Sequence, residues 1–135
     1  MSKRSDAREV SMKLVFEYLF NNQINEQLID DLSQEYQLGA EQDFATKTYF
    51  GVVNNIEKLN AVIEQHSIGF SINRIFKVDR AVLLVAIYEI LFVEDIDYKV
   101  SVNEALNIAK KYSTEKSYKF INGILSKVEK PNGNN

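Results

Sequence analysis

The chain has no cysteine, one proline, one histidine and five glycines in 135 residues. Without cysteine there is neither a disulfide framework nor a thiolate metal site, and the composition suits a reducing compartment. The lone histidine, His66, has no second histidine at a metal-ligand spacing, so it reads as a helix-end residue rather than a ligand. Scarce glycine and proline leave little turn punctuation, which predicts a mostly helical chain. No stretch reaches the roughly 20 apolar residues of a membrane span, and the first ten residues, MSKRSDAREV, have no apolar signal core. These absences predict a cytoplasmic protein that does not engage a membrane. Motifs of nucleotide and acyl-transfer chemistry are also missing: there is no G-x-S-x-G, P-loop or G-x-G-x-x-G. Adjacent acids such as Asp30-Asp31 and Glu94-Asp95 read as solvated turn or face residues. No catalytic residue, metal or cofactor is expected, and the chain does not read as an enzyme.

What is present is a globular balance, 45% hydrophobic and 26% charged, with length for one domain and a sizeable core. The net charge of -3 is unevenly spread. Residues 21–70 hold eight acids against Lys47 and Lys58, a net of -6, whereas residues 110–130 hold six lysines against Glu115 and Glu129, a net of +4. Residues 1–20 are slightly positive through Lys3, Arg4, Arg8 and Lys13. Basic ends around an acidic middle suggest an anionic partner held at the ends.

The organising stretch is residues 78–93, VDRAVLLVAIYEILFV, in which Glu89 is the only charge after Ala81. On a helix of about 100° per residue its apolar side chains point in every direction, which predicts a core helix enclosed by others. Before it, apolar spacing predicts a helix over 5–20, a second over about 25–38 with Asn25 as N-cap and Gly39 at its C-terminal end, and a third over 40–65. Gly51 inside that third helix predicts close approach of a neighbour, because glycine costs about 1 kcal/mol there relative to alanine. Residues 67–71 break the pattern, and Ser71 is placed to cap a short helix over 72–76. After the core helix, Ser101-Val102-Asn103-Glu104 matches a capping box. Thr114 or Ser113 opens the last helix, which carries Asn122-Gly123 at helical rather than hairpin spacing, with the glycine packed close to a neighbour.

Lys110, Lys111, Lys116 and Lys119 cluster near the last inter-helix loop, interleaved with Tyr112, Tyr118 and Phe120. Lysines neutralise phosphates and aromatic faces stack on unpaired bases, so this is the best candidate binding chemistry in the chain.

Three blocks carry a further signal: VDRAVLLVAIYEI, then YKVSVNEALNIAKKY, then SYKFINGIL. Their order and spacing resemble those of the NusB family of transcription antitermination factors, and Ala7-Arg8-Glu9 and residues 44–52 fit that family's first and third helices. The resemblance spans essentially the whole chain. It implies an all-α, NusB-like fold of about seven helices in two packed small bundles, with one RNA-binding domain over 1–130 (halves 1–68 and 71–130) and a disordered tail over 131–135. It also implies binding of boxA-type RNA jointly with NusE, a small-subunit ribosomal protein, within an RNA polymerase antitermination complex acting on ribosomal RNA operons. The RNA-binding residues implied are Lys3, Arg4, Arg8, Phe16, Lys116, Lys119 and Phe120, and the partner-binding residues are Arg74, Asp79 and Val82, with Asp79 and Arg80 exposed. Three positions depart from the family pattern. Ser5 and Asp6 interrupt a basic start, Leu84 replaces a usual arginine, and Asp97 stands where proline is common. Fewer basic residues at the start imply weak RNA binding alone and tighter binding with NusE. The alternative is a helical protein–protein adaptor with little RNA binding of its own.

Overall fold

The computed structural model describes residues 2–131. They form seven α-helices: α1 (Lys3–Asn21), α2 (Glu26–Glu35), α3 (Gln42–Asn54), α4 (Ile56–His66), α5 (Lys77–Phe92), α6 (Tyr98–Tyr112) and α7 (Glu115–Leu125). Two 3-10 turns, Gly39–Glu41 and Ile72–Arg74, complete the order, and no strand occurs among the described residues. Of the expected tail, all but Pro131 lies outside the described residues.

The apolar run becomes α5, and ten of its sixteen residues are buried. It touches α1, α3, α4, α6 and α7, which is how a helix without a polar face avoids water. α1 is the second central element: it packs on α2, α3, α5 and α6 and is buried almost continuously over residues 7–15. Leu84 is fully buried, so the apolar side chain at that departure belongs to the core.

Local chemistry explains most helix ends. The Asn25 side chain accepts from the Leu28 N–H at 3.0 Å, and Thr114 Oγ1 accepts from the Ser117 N–H at 3.0 Å. Lys130 is buried and donates to the carbonyls of Ile90 and Val93, placing a cation on the negative end of α5. Asp97 caps α6, accepting from the Lys99 N–H at 2.8 Å, so this departure keeps a helix start where it falls.

Four expectations are corrected. The helix over 40–65 is two helices, because the Asn55 side chain takes the Gly51 carbonyl at 2.8 Å and its backbone leaves the helical region. Ser101 is not a cap: it lies inside α6 with its hydroxyl unpartnered, while Glu104 turns to α1. The second helix ends at Glu35, and Gln37 takes the left-handed conformation before Gly39 does. Gly123 is helical as expected, but no neighbour lies against it.

Gly51 does meet a neighbour: a Cβ there would collide with the Tyr88 ring of α5. Gly51→Ala should therefore destabilise the protein by about 1 kcal/mol despite its better helix propensity. In a Tyr88→Ala background the same change should stabilise by about 1 kcal/mol. Urea denaturation of the four variants of this cycle reads the reversal of sign.

Candidate nucleic-acid interface

α1 carries four of the expected RNA-binding residues, and the fold separates them. Lys3 and Arg4 lie on its first turn and are exposed. The Lys3 ammonium donates to the Tyr36 carbonyl at 2.9 Å. Arg4 pairs with Glu41 at 2.5 Å, its guanidinium 4.0 Å above the Phe44 ring. Arg8, one turn on, points inward and is only 5% exposed. Its Nη2 donates to Glu89 Oε1 at 2.6 Å, its Nε to the same carboxylate at 3.0 Å and its Nη1 to Glu104 at 2.9 Å. Burial opposes the charge, but the bonds and field of Glu89, then of Glu104, outweigh it and hold the guanidinium above its ordinary pKa. Arg8 is thus a core ion-pair residue and not a surface contact, because it is the counter-charge of Glu89, whose carboxylate is buried in the apolar helix.

The expected partner surface at the start of α5 is also corrected. Asp79 is 4% exposed and accepts from the Ser113 hydroxyl at 2.8 Å, and Val82 is 1% exposed, so both serve packing. Helical periodicity turns this face of α5 toward the α6–α7 junction. Arg80 is partly buried too, while Arg74, on the 3-10 turn, stays exposed. The large apolar groups displayed nearby are Ile68, Phe70 and Phe76.

What the sequence did not reveal is a carboxylate that ties distant groups into one surface. Glu9 is 3% exposed and accepts from Tyr36 at 2.5 Å, from Tyr112 at 2.6 Å and from the Lys111 ammonium at 3.0 Å. Burial alone would raise its pKa, but the Tyr112 and Tyr36 hydroxyls and the Lys111 charge outweigh this and hold it below the usual carboxylate range. Burial and the Glu9 hydrogen bond push the Tyr36 phenol far up, so it stays protonated as a donor. Lys13 lies 5.0 Å over the Tyr36 ring and 5.6 Å from the Tyr112 ring. Glu9 is 27 residues from Tyr36 and 103 from Tyr112, so no local motif could announce the cluster.

From Tyr112 the surface continues into an open groove lined by Phe16, Phe20, Phe76, Lys77 and the start of α7 at Thr114. Phe16 meets Phe20 edge-on at 5.1 Å, and Lys77 lies 5.0 Å over the Phe20 ring. On α7, Lys116 and Lys119 are exposed, and Phe120 is half-buried on the same flank, edge-on to Phe70 at 5.8 Å. Lys3, Tyr36, Lys13, Tyr112, Phe16 and Lys77 thus follow one another along a basic, aromatic track that reaches the start of α7 at Thr114. Among the described residues no cluster of metal-ligating side chains exists, and no helix is long and apolar enough to cross a membrane.

Comparison with known proteins assigns the lineage: the NusB family model matches residues 5–130. The chain belongs to the NusB family. It is 39% identical over 128 residues to the transcription antitermination protein NusB of Acetivibrio thermocellus, covering 94% of this chain and 88% of that protein. It is 42% identical over 134 residues to that of Natranaerobius thermophilus, covering 95% and 94%. Its fold superposes with a TM-score of 0.84 and 25% identity on the NusB of a crystal structure of antitermination factors NusB and NusE with double-stranded RNA, covering 95% and 96%. Membership places the chain among transcription antitermination factors, which are not enzymes.

The buried pair gives a stability prediction. Arg8→Met should cost about 3–5 kcal/mol, because it strands Glu89 without a counter-charge. Adding Glu89→Leu should recover most of that loss in urea denaturation. A second prediction follows from Glu9. Its folded pKa is depressed, so its stabilisation is present above the unfolded value of about 4.3 and is lost as pH falls through the lower folded value. Glu9→Gln should flatten the decline in melting temperature of the acid limb below about pH 4.5.

Proposed function

We propose that this chain binds boxA-type single-stranded RNA together with NusE, in the cytoplasm, and thereby helps RNA polymerase resist termination on ribosomal RNA operons. The observation that carries this reading is the continuous basic and aromatic track from α1 to α7. Lys3, Arg4, Lys116 and Lys119 supply phosphate contacts, and Phe16 and Phe120 supply faces for unpaired bases. A relative crystallised with NusE and double-stranded RNA supports both partners. Part-exposed rings favour a single strand here, since bases in a duplex are already stacked on one another.

NusE is expected to raise the affinity. Arg8 is withdrawn into the core and Arg4 is engaged by Glu41, so the start of α1 offers few uncommitted cations. The Arg4–Glu41 pair is exposed and cheap to exchange for a phosphate. Arg74, beside exposed Phe70 and Phe76, remains the candidate contact for NusE. Those exposed apolar groups also favour a second reading, a protein–protein adaptor with little RNA binding.

A titration of labelled boxA-type RNA at several salt concentrations, with and without NusE, tests the proposal. Tighter binding with NusE is expected, and equal affinity in both conditions overturns the cooperative part. No RNA binding even with NusE present establishes the adaptor reading instead. Phe120→Ala should weaken binding about tenfold, the loss of one stacked base, while circular dichroism shows the helices retained. If it unfolds the protein, the ring serves packing only.

A further inference from the structure

A second pocket opens on the other side of Lys77 from the aromatic groove. It lies between the C-terminal end of α1, the start of α4 and the first turn of α5, with a volume of about 370 Å³. Its polar walls are Tyr18, Asn22, Asn60, Asn73, Lys77 and Arg80, a set rich in donors and without a carboxylate. Two of these side chains are unsatisfied. Arg80 Nε is sheltered from solvent without a hydrogen-bond partner, and so is Asn60 Oδ1. Among the described residues no carboxylate lies within ion-pair distance of the Arg80 guanidinium. Burial pulls its pKa down from the ordinary value, offset only by the field of Glu64, whose own carboxylate accepts from the Ile72 N–H at 2.8 Å.

A half-buried guanidinium whose sheltered Nε has no acceptor among the described residues is open to one that arrives from outside. The pocket's shape and position say which. Two cations and several neutral donors facing a common space suit an oxyanion with acceptors in several directions, as a phosphate has, better than a planar carboxylate. Lys77 is a wall of both this pocket and the groove that holds Phe16, so a strand lying on the rings passes its backbone directly to Arg80.

We propose that the Arg80 pocket is a phosphate-binding subsite, in which Arg80, Lys77 and the Asn22 and Asn73 amides take one backbone phosphate of the bound RNA strand. The inference rests on the RNA-binding reading above and adds a contact point to it. Arg80 then gains the acceptor that the fold denies it, and the strand is held past the rings rather than ending at them.

The test compares wild type, Arg80→Gln, Asn60→Asp and Lys119→Gln in RNA titrations with NusE over a range of salt. Arg80→Gln should bind about fivefold more weakly, with a log–log salt slope shallower by about 0.7, the loss of one phosphate contact on a single strand. Asn60→Asp places a carboxylate beside Arg80 and should weaken binding while leaving the melting temperature equal or higher, which separates lost binding from lost folding. In nuclear magnetic resonance of the wild type, the RNA should shift the Arg80 Nε–H and Asn60 side-chain signals. If wild type binds RNA and Lys119→Gln lowers the slope, but both pocket variants match wild type and no pocket signal moves, the subsite is overturned and the function stands. A pocket that answers to acetate and not to phosphate or RNA also overturns it. No RNA binding by wild type with NusE present overturns both.

Discussion

The interaction on which the structure depends is the buried pair between Arg8 of α1 and Glu89 of α5. Each residue alone would be a charge stranded in apolar surroundings, and together, with Glu104 of α6 as a third member, their donors and acceptors are matched. Such pairs contribute little net stability, because desolvation offsets most of the attraction. Their value is directional: an apolar helix can slide and rotate against another at small cost, whereas a two-bond fork fixes both registers. α1 and α5 are the two helices that touch most of the others, so fixing their crossing fixes the rest.

The consequence at the surface is a division of labour along α1. Over about a turn and a half the chain carries Arg4, which faces solvent, Arg8, which pins the core, and Glu9, which is buried just beneath the surface. Glu9 sits under the track and holds Tyr36, Tyr112 and Lys111 from below. A buried carboxylate that orients phenols and an ammonium on the outside converts a core position into a rigid platform. Flexible lysines alone would lose much of their binding energy to ordering.

Much of the fold was legible in order of appearance. The uniform apolarity of α5 announced its enclosure, Asn25 and Thr114 announced helix starts, and Gly51 announced a close approach, which proves to be Tyr88. These signals are local, because periodicity, caps and missing side chains act within a few residues. The departures at Leu84 and Asp97 resolve into an ordinary core residue and an ordinary cap. Where local signals competed, the sequence misled. Ser101-x-x-Glu104 has the spacing of a cap, but Asp97 had already started the helix, and the Asn55 amide broke a periodicity that otherwise runs on.

The candidate site was less legible. Composition and resemblance pointed to a basic and aromatic face near α7, where Lys116 and Lys119 are exposed and Phe120 is half-buried, and Phe16 lines the open groove. They also pointed to Arg8, Asp79 and Val82, which the packing turns inward. By itself, then, the amino-acid sequence determined which segments are helical, which helix is the core and that both ends are basic around an acidic middle, since periodicity, caps and charge are read from near neighbours. Only the tertiary structure decided which charges are surface and which are struts, because a side chain's partner lies 81 residues away for Arg8 and 103 for Glu9. Burial, not residue type, sets whether such a charge is spent on the core or left for a ligand.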